Sequence, residues 1–277
     1  MRAKIYNTGF TLVEMIVVIV ITGILGGIIA LFIRGPVQGY VDSARRAAMN
    51  DIADTAMSRI TRDLRTALPN SVRITSIGSV YYLEFIPTTG GGRYRAASDV
   101  AATLFPCGGS SPASAVLDIA VADTCFEVLG PMPTFPVNDW VVVNNVSSVN
   151  VYPGTDRAQI VSAVSPAVSI ASFSFPSASP GNRFQVISTP VTYVCSPVAG
   201  GVGGTLTRYW GYAIQAAQPT ALATLTSVNP GALLAGNVSS CSFSLPQGNN
   251  LLAMQLTITE SGESISLYDE AYVSNKP

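Results

Sequence analysis

The sequence predicts an α+β fold, in which one long N-terminal helix packs on an antiparallel β-sheet domain. Residues 15–33 contain no charged side chain, and apolar residues then recur every three or four positions as far as residue 68. After Pro69 the pattern changes to short β-branched and aromatic runs separated by Gly, Pro, Asn and Ser, which indicates strands.

Composition restricts the class of protein further. Of the 277 residues 48% are hydrophobic and only 11% are charged, with 24 Gly and 18 Pro, which favours an exported, β-rich domain. The net charge of -1 provides no basic patch, so nucleic acid is not an expected partner.

The apolar run Met15–Ile33 is long enough to cross a bilayer, because 19 helical residues span about 28 Å. Arg2 and Lys4 precede it and Arg34 follows it, which only weakly favours a cytoplasmic N-terminus. A secretory signal peptide would have an apolar core of roughly 7 to 15 residues, so this longer run favours a retained single span.

Glu14 is the unusual residue at the start of this run. A carboxylate inside a membrane is costly and is expected to face a partner. Phe10 lies on the same helical side, but a helix keeps the Phe10 amine about 6 Å away along its axis. A second molecule could bring its own Phe10 amine to Glu14 if the chain were cut after Gly9.

The segment Gly9–Glu14, "GFTLVE", follows a short basic leader and precedes the apolar run. It resembles the processing site of type IV prepilins and type II secretion pseudopilins. The resemblance implies a type IV pilin-like fold, cleavage after Gly9 by prepilin peptidase, N-methylation of Phe10, and a role for Glu14 in registering incoming subunits. The competing interpretation is a plain membrane anchor with an accidental carboxylate.

We expect four segments: a prepilin leader (1–9), a hydrophobic transmembrane and filament-core helix (10–39), an amphipathic helix (40–68) and a β-rich periplasmic domain (69–277). Gly35 and Pro36 predict a kink or local melting of the helix, because proline lacks the N–H that a helix needs. Pro69 is expected to end it.

The amphipathic helix has two faces. The apolar face comprises Met49, Ile52, Ala53, Ala56, Ile60, Leu64 and Leu68, and the charged face comprises Asp42, Arg45, Arg46, Asp51, Asp54, Arg59, Arg62, Asp63 and Arg65. Three of the arginines, Arg59, Arg62 and Arg65, are either solvated or contact acidic groups of a neighbouring subunit.

Nine runs predict strands: 72–74, 81–86, 140–146, 159–164, 184–187, 191–195, 205–214, 252–258 and 265–273. The last two form the clearest hairpin, with Gly262 in the turn. The Ser-, Ala-, Gly- and Pro-rich tracts at 166–182 and 196–204 are predicted to be surface loops.

The four cysteines follow the span and would lie in the oxidising periplasm, which favours two disulfides. Of the three possible pairings we expect the sequential one, Cys107 with Cys125 and Cys195 with Cys241. A zinc site is disfavoured because the chain has no Cys-x-x-Cys spacing and no histidine.

The absence of histidine also excludes Ser-His-Asp and Cys-His catalysis. Asp269 and Glu270 are adjacent on a predicted strand and would point to opposite faces, and Glu260 and Glu263 lie at a turn where solvation explains them. We therefore predict no catalytic residue, no cofactor and no metal, although a calcium ion at turn oxygens is conceivable.

Further resemblance is spread over the domain. The strand at Arg183, "VTYVC", "LTRYWGYAI", "VSSCSF" and the final "YVSN" resemble the O-type minor pilins of mannose-sensitive haemagglutinin (MSHA) pili and, more distantly, the J-type minor pseudopilins of type II secretion. The resemblance implies a low-copy subunit at or near a pilus tip, since major pilins are usually much shorter.

The implied partners are other major and minor pilins, prepilin peptidase and an inner-membrane assembly platform. The chain would first be a single-pass protein of the bacterial inner membrane and later part of an extracellular pilus. The alternatives are a J-like pseudopilin, a pilus-borne adhesin or sugar-binding domain, and an anchored periplasmic enzyme.

Overall fold

The computed structural model describes residues 9–97, 107, 115–136, 138–246 and 250–273. Residues 1–8 of the predicted leader and the end of the "YVSN" segment lie outside the described residues. The chain forms two compact units, Met1–Met49 and Asn50–Pro277.

Helix α1 covers Leu12–Leu64 and includes Pro36. Its apolar N-terminal part is long and hydrophobic enough to cross a membrane. The predicted local melting near Gly35 is wrong, because α1 continues through Pro36. The proline removes only one backbone N–H, so the other helical hydrogen bonds on both sides of it remain possible.

Helix α1 ends at Leu64, four residues before the predicted end. The backbone tightens there, because the N–H groups of Thr66 and Ala67 donate to carbonyls only three residues back. The N–H of Leu68 then donates to the Ile86 carbonyl at 2.7 Å. The backbone therefore changes from helical hydrogen bonds to a hydrogen bond with the Ile86 segment before Pro69.

The described residues also contain fourteen strands and two short helices. In chain order they are β1 Arg73–Ile77, β2 Val80–Phe85, β3 Thr88–Tyr94, β4 Asp123–Leu129, β5 Trp140–Val142, α2 Ser148–Val151, β6 Arg157–Val164, β7 Ala167–Phe173, β8 Arg183–Ile187, β9 Val191–Ser196, β10 Thr205–Trp210, α3 Leu222–Leu225, β11 Ala232–Gly236, β12 Val238–Ser244, β13 Leu251–Glu260 and β14 Glu263–Tyr272.

The strands form three antiparallel assemblies. A five-stranded sheet has the order β1-β2-β9-β10-β11, a three-stranded sheet has the order β12-β13-β14, and β3-β4-β7-β6-β5-β8 close into a barrel. The fold is therefore α+β and type IV pilin-like, with a long N-terminal apolar helix followed by an antiparallel β domain. The barrel is an addition that the sequence did not predict.

Three barrel strands, β3, β4 and β7, were not predicted, and β3 and β7 were missed for identifiable reasons. Strand β3 contains three consecutive glycines, which normally indicate a loop, but a Cβ at Gly92 would lie 3.0 Å from the Phe184 ring of β8. Strand β7 lies in the tract 166–182 that was predicted to be a loop. Its Val168 and Ile170 belong to the buried barrel core, so burial decides its conformation despite the serines around it.

The final hairpin is confirmed. Strands β13 and β14 pair through ten consecutive residues from Leu251 to Glu260. The two-residue turn between them consists of Ser261 and Gly262, which both have positive φ, at 54° and 82°. Such backbone angles at both turn residues match the right-handed twist of the flanking strands.

Within the second unit, the C-terminal part of α1 contributes Ala53, Ala56, Ile60 and Leu64 to the core, and each is at most 1% exposed. Ile52, which was assigned to the same face, is 43% exposed. Asp63 accepts hydrogen bonds from Tyr193 on β9 and Arg208 on β10, both at 2.8 Å. These contacts attach the end of α1 to the five-stranded sheet.

Candidate processing and assembly site

The predicted cleavage site precedes the first turn of α1. Gly9 and Phe10 lie outside the helix, and Phe10 is 75% exposed. The Thr11 hydroxyl oxygen accepts a hydrogen bond from the Glu14 N–H at 3.3 Å, which is the arrangement of a helix N-cap. The cap separates the exposed Gly9-Phe10 peptide bond from the regular helix that follows.

Gly9 has no packing role among the described residues. A Cβ added at Gly9 would meet no atom of these residues within 4 Å, and the φ angle of Gly9 is not positive. Neither close approach nor backbone strain therefore explains a glycine at this position. The requirement for glycine is consistent with recognition by another molecule.

Glu14 lies in the first turn of α1 and is exposed, with apolar and equally exposed neighbours Val13 and Met15. Within the described residues its carboxylate has no hydrogen-bonding or ionic partner. Thr22, the next polar residue of the span, donates its hydroxyl to carbonyls of its own helix. The two polar groups therefore differ, because only Glu14 lacks an internal partner.

The three predicted contact arginines are in different environments. Arg59 forms an ion pair with Asp63, with 3.1 Å between Nε and Oδ1. Arg62 and Arg65 are exposed and have no acidic partner among the described residues. Only these two remain available for a neighbouring subunit.

Asp63 is the residue that sequence reasoning misplaced, since it was assigned to the charged outer face. Its carboxylate is only 14% exposed and is bound by Tyr193 and Arg208. Burial, followed by the negative charge of Asp63, raises the pKa of Tyr193 well above its usual range. The helical spacing of Asp63 from Ile60 and Leu64 could have suggested a position at the edge of the buried face.

The cysteines form two bridges in the structure. Cys107 is bonded to Cys125 of β4, with the Cα atoms 5.7 Å apart. Cys195 of β9 is bonded to Cys241 of β12, with the Cα atoms 6.6 Å apart. The second bridge links the five-stranded sheet to the three-stranded sheet, where Tyr81 also packs against Phe243.

The acidic residues considered for catalysis do not converge. Asp269 accepts a hydrogen bond from Thr61 of α1, whereas Glu270 accepts one from Tyr268 at the surface. Glu260 and Glu263 flank the final turn as a cross-strand pair. Within the part of the chain that the structure describes, no group of three metal-ligating side chains is positioned to hold an ion.

Comparison with protein-family models gives a match at the N-terminal segment. Residues 6–30 match the family model described as the prokaryotic N-terminal methylation motif. The matched region contains Gly9, Phe10 and Glu14 and stops within the apolar part of α1. Comparison with the curated proteins gives no match. Comparison with the solved structures gives none either.

The motif suggests that the chain is a structural subunit. The motif supports the type IV pilin and pseudopilin family in particular. It implies processing by prepilin peptidase and assembly with other pilins in a membrane system. The single N-terminal apolar helix fits anchoring in the inner membrane before assembly.

Proposed function

We propose that this chain is a minor pilin of an MSHA-type pilus, cleaved after Gly9, methylated at Phe10 and incorporated at or near the pilus tip to initiate assembly. Glu14 acts as the carboxylate that registers the subunit against a neighbour. The domain faces the periplasm before assembly and the exterior afterwards.

The proposal rests on the exposure of the Gly9-Phe10 bond and on the helix cap that follows it. An exposed Gly9-Phe10 bond precedes a capped helix, and Gly9 has no steric function among the described residues. A peptidase that requires glycine accounts for both features. The new amine of Phe10 would then be available to the unpartnered carboxylate of a second subunit, as a charge-assisted hydrogen bond.

The size of the second unit supports a low-copy position. A head-to-tail contact whose rotation does not close generates a helical filament, in which identical subunits crowd one another. The closed barrel adds bulk to the two sheets. A subunit at the end of the filament avoids that crowding on one side.

N-terminal sequencing of the mature protein tests the processing step directly. We expect N-methylated Phe10 as the first residue, and an uncut chain when Gly9 is replaced by Leu. Gly27→Leu is the matched control, since a Cβ added at Gly27 would also meet no neighbouring described atom within 4 Å, but Gly27 lies inside the span. Normal cleavage of the Gly9→Leu chain would contradict the proposal.

The choice of machine needs a second measurement. Immunogold labelling of purified pili should place this subunit near one end of MSHA-type filaments. Its recovery only with components of a type II secretion system would instead identify a J-like pseudopilin.

A further inference from the structure

Strand β11 is an outer strand of the five-stranded sheet, because it pairs with β10 on one side only. The opposite end of the same sheet is different. There Arg73 of β1 donates to the carbonyls of Gln215 and Ala216, and the Thr75 hydroxyl bonds to Gln218. One edge is therefore covered by the segment 215–218, whereas no described segment pairs with the outer side of β11.

An uncovered edge strand presents unpaired backbone N–H and C=O groups and favours pairing with another extended chain. Charged side chains usually protect such edges, but β11 has the sequence ALLAG. Leu233 is 64% exposed. The edge therefore has the composition of a strand that pairs rather than one that resists pairing.

A groove lies beside β11 on its helix side. It has a volume of about 540 Å³ and is lined by Leu234 together with Asp54, Thr55, Ala56, Ser58, Arg59 and Arg62 of α1. Leu234 is the extra residue of a β-bulge, because Ala235 pairs with Leu206 and Leu233 pairs with Thr207. Leu234 lines the groove, whereas Leu233 is exposed to solvent. A strand added to β11 would therefore lie beside both the groove and Leu233.

The groove is charged differently at its two ends. Asp54 and Arg62 are eight residues apart on α1, which corresponds to about 12 Å along the helix. Arg59 is already paired with Asp63, whereas Arg62 is exposed and has no acidic partner among the described residues. An incoming strand thus meets a free guanidinium at the Arg62 end.

We propose that β11 and the adjacent groove form a β-augmentation site for an extended segment of a neighbouring pilin subunit, with a carboxylate of that segment bound by Arg62. Backbone pairing with β11 selects an extended segment, and Arg62 selects the carboxylate. Leu233 and Leu234 select apolar neighbours in the same strand. The choice of partner rests on the proposed function.

Photocrosslinking in the source bacterium tests the site in the full chain. A benzoylphenylalanine residue at position 233 should crosslink to a strand of another pilin subunit, and peptide mass spectrometry identifies that strand. Position 161 on β6 of the barrel is the matched control, since Val161 is also highly exposed, at 58%. It should not crosslink to the same strand.

Charge reversal separates the groove from general surface effects. Arg62→Glu should lower the crosslink yield roughly tenfold, whereas Arg65→Glu, one residue beyond the end of α1 and outside the groove, should leave it unchanged. Two results would overturn the proposal: a crosslink only to a second copy of this chain, and a yield that is insensitive to Arg62→Glu. A subunit with a normal Phe10 terminus that enters pili without any position-233 crosslink would reject the site while leaving the pilin function intact.

Discussion

Arg73 of β1 and Glu84 of β2 are a cross-strand pair in which the Nε of Arg73 donates to Glu84 Oε2 at 2.6 Å. The Glu84 side chain is completely buried. Tyr212 donates its hydroxyl to the other carboxylate oxygen at 2.9 Å, and the guanidinium lies 3.4 Å from the centre of the Tyr152 ring. Burial raises the pKa of Glu84, while Arg73 opposes that shift.

Arg73→Ala should therefore destabilise the domain strongly, because it leaves a buried charge without its partner. We expect a loss of about 3 to 5 kcal/mol in the free energy of unfolding, measured by urea denaturation. Arg95→Ala is the matched control, since Arg95 binds Glu127 with the same atoms at the same 2.6 Å but Glu127 is 16% exposed. That loss should be smaller, because water can reach part of the Glu127 side chain once Arg95 is removed.

A double variant distinguishes the buried charge from lost packing. Arg73→Met combined with Glu84→Gln removes both charges, so it should be more stable than Arg73→Ala. An Arg73→Ala loss no larger than that of Arg95→Ala would show that Glu84 is adequately solvated.

Asp156 should make stability depend on pH. Burial raises the pKa of this carboxyl from its ordinary value of 3.8 to about 7. Between these two values the unfolded chain releases the proton while the folded chain retains it, so stability falls as pH rises and levels off above about 7. Asp156→Asn should remove this decrease.

Urea unfolding of the detergent-solubilised chain at pH 4 and pH 8 measures the effect. The natural chain should lose up to about 4 kcal/mol in the free energy of unfolding between pH 4 and pH 8, since one pKa unit corresponds to about 1.4 kcal/mol. Asp156→Asn should not show this loss. Asp51→Asn, at an exposed position of α1, is the control and should follow the natural chain. Parallel pH curves for both variants would contradict the assignment.

The two disulfides should contribute unequally to stability. The Cys195–Cys241 bridge spans 46 residues and the Cys107–Cys125 bridge spans 18. On the chain-entropy model these separations correspond to about 4 and about 3 kcal/mol. Paired alanine replacements should reproduce that order in urea unfolding, with non-reducing peptide mapping to verify the remaining bridge. The reverse order would indicate that the link between the two sheets is dispensable.

Glu14→Ala should leave cleavage after Gly9 intact and strongly reduce incorporation into pili. The reason is that the carboxylate has no internal partner and is available to another subunit. Thr22→Val is the control, because the Thr22 hydroxyl bonds only within its own helix. Immunoblots of sheared pili and of whole cells separate assembly from expression. If Glu14→Ala entered pili at the same level as the unaltered chain, the interpretation of this segment as a plain membrane anchor would be favoured.

Local signals in the sequence were sufficient for several elements. The apolar run and its spacing identified α1, and two β-branched and aromatic runs separated by a turn with Gly262 identified the last hairpin. The barrel was not predicted, because Gly91 and Gly92 are explained only by the approach of Phe184 from a strand some ninety residues later in the chain. The role of Asp63 was missed for a similar reason, since Tyr193 and Arg208 are distant in sequence.

The sequence by itself determined the membrane-compatible helix, the motif at Gly9, Phe10 and Glu14, and the α+β class. These features depend on composition and on spacings of a few residues. Only the tertiary structure decided which strands close into a barrel, which carboxylates are buried, and that β11 is left at an edge beside Arg62. Such properties arise from contacts between residues far apart in the chain, and no local pattern encodes them.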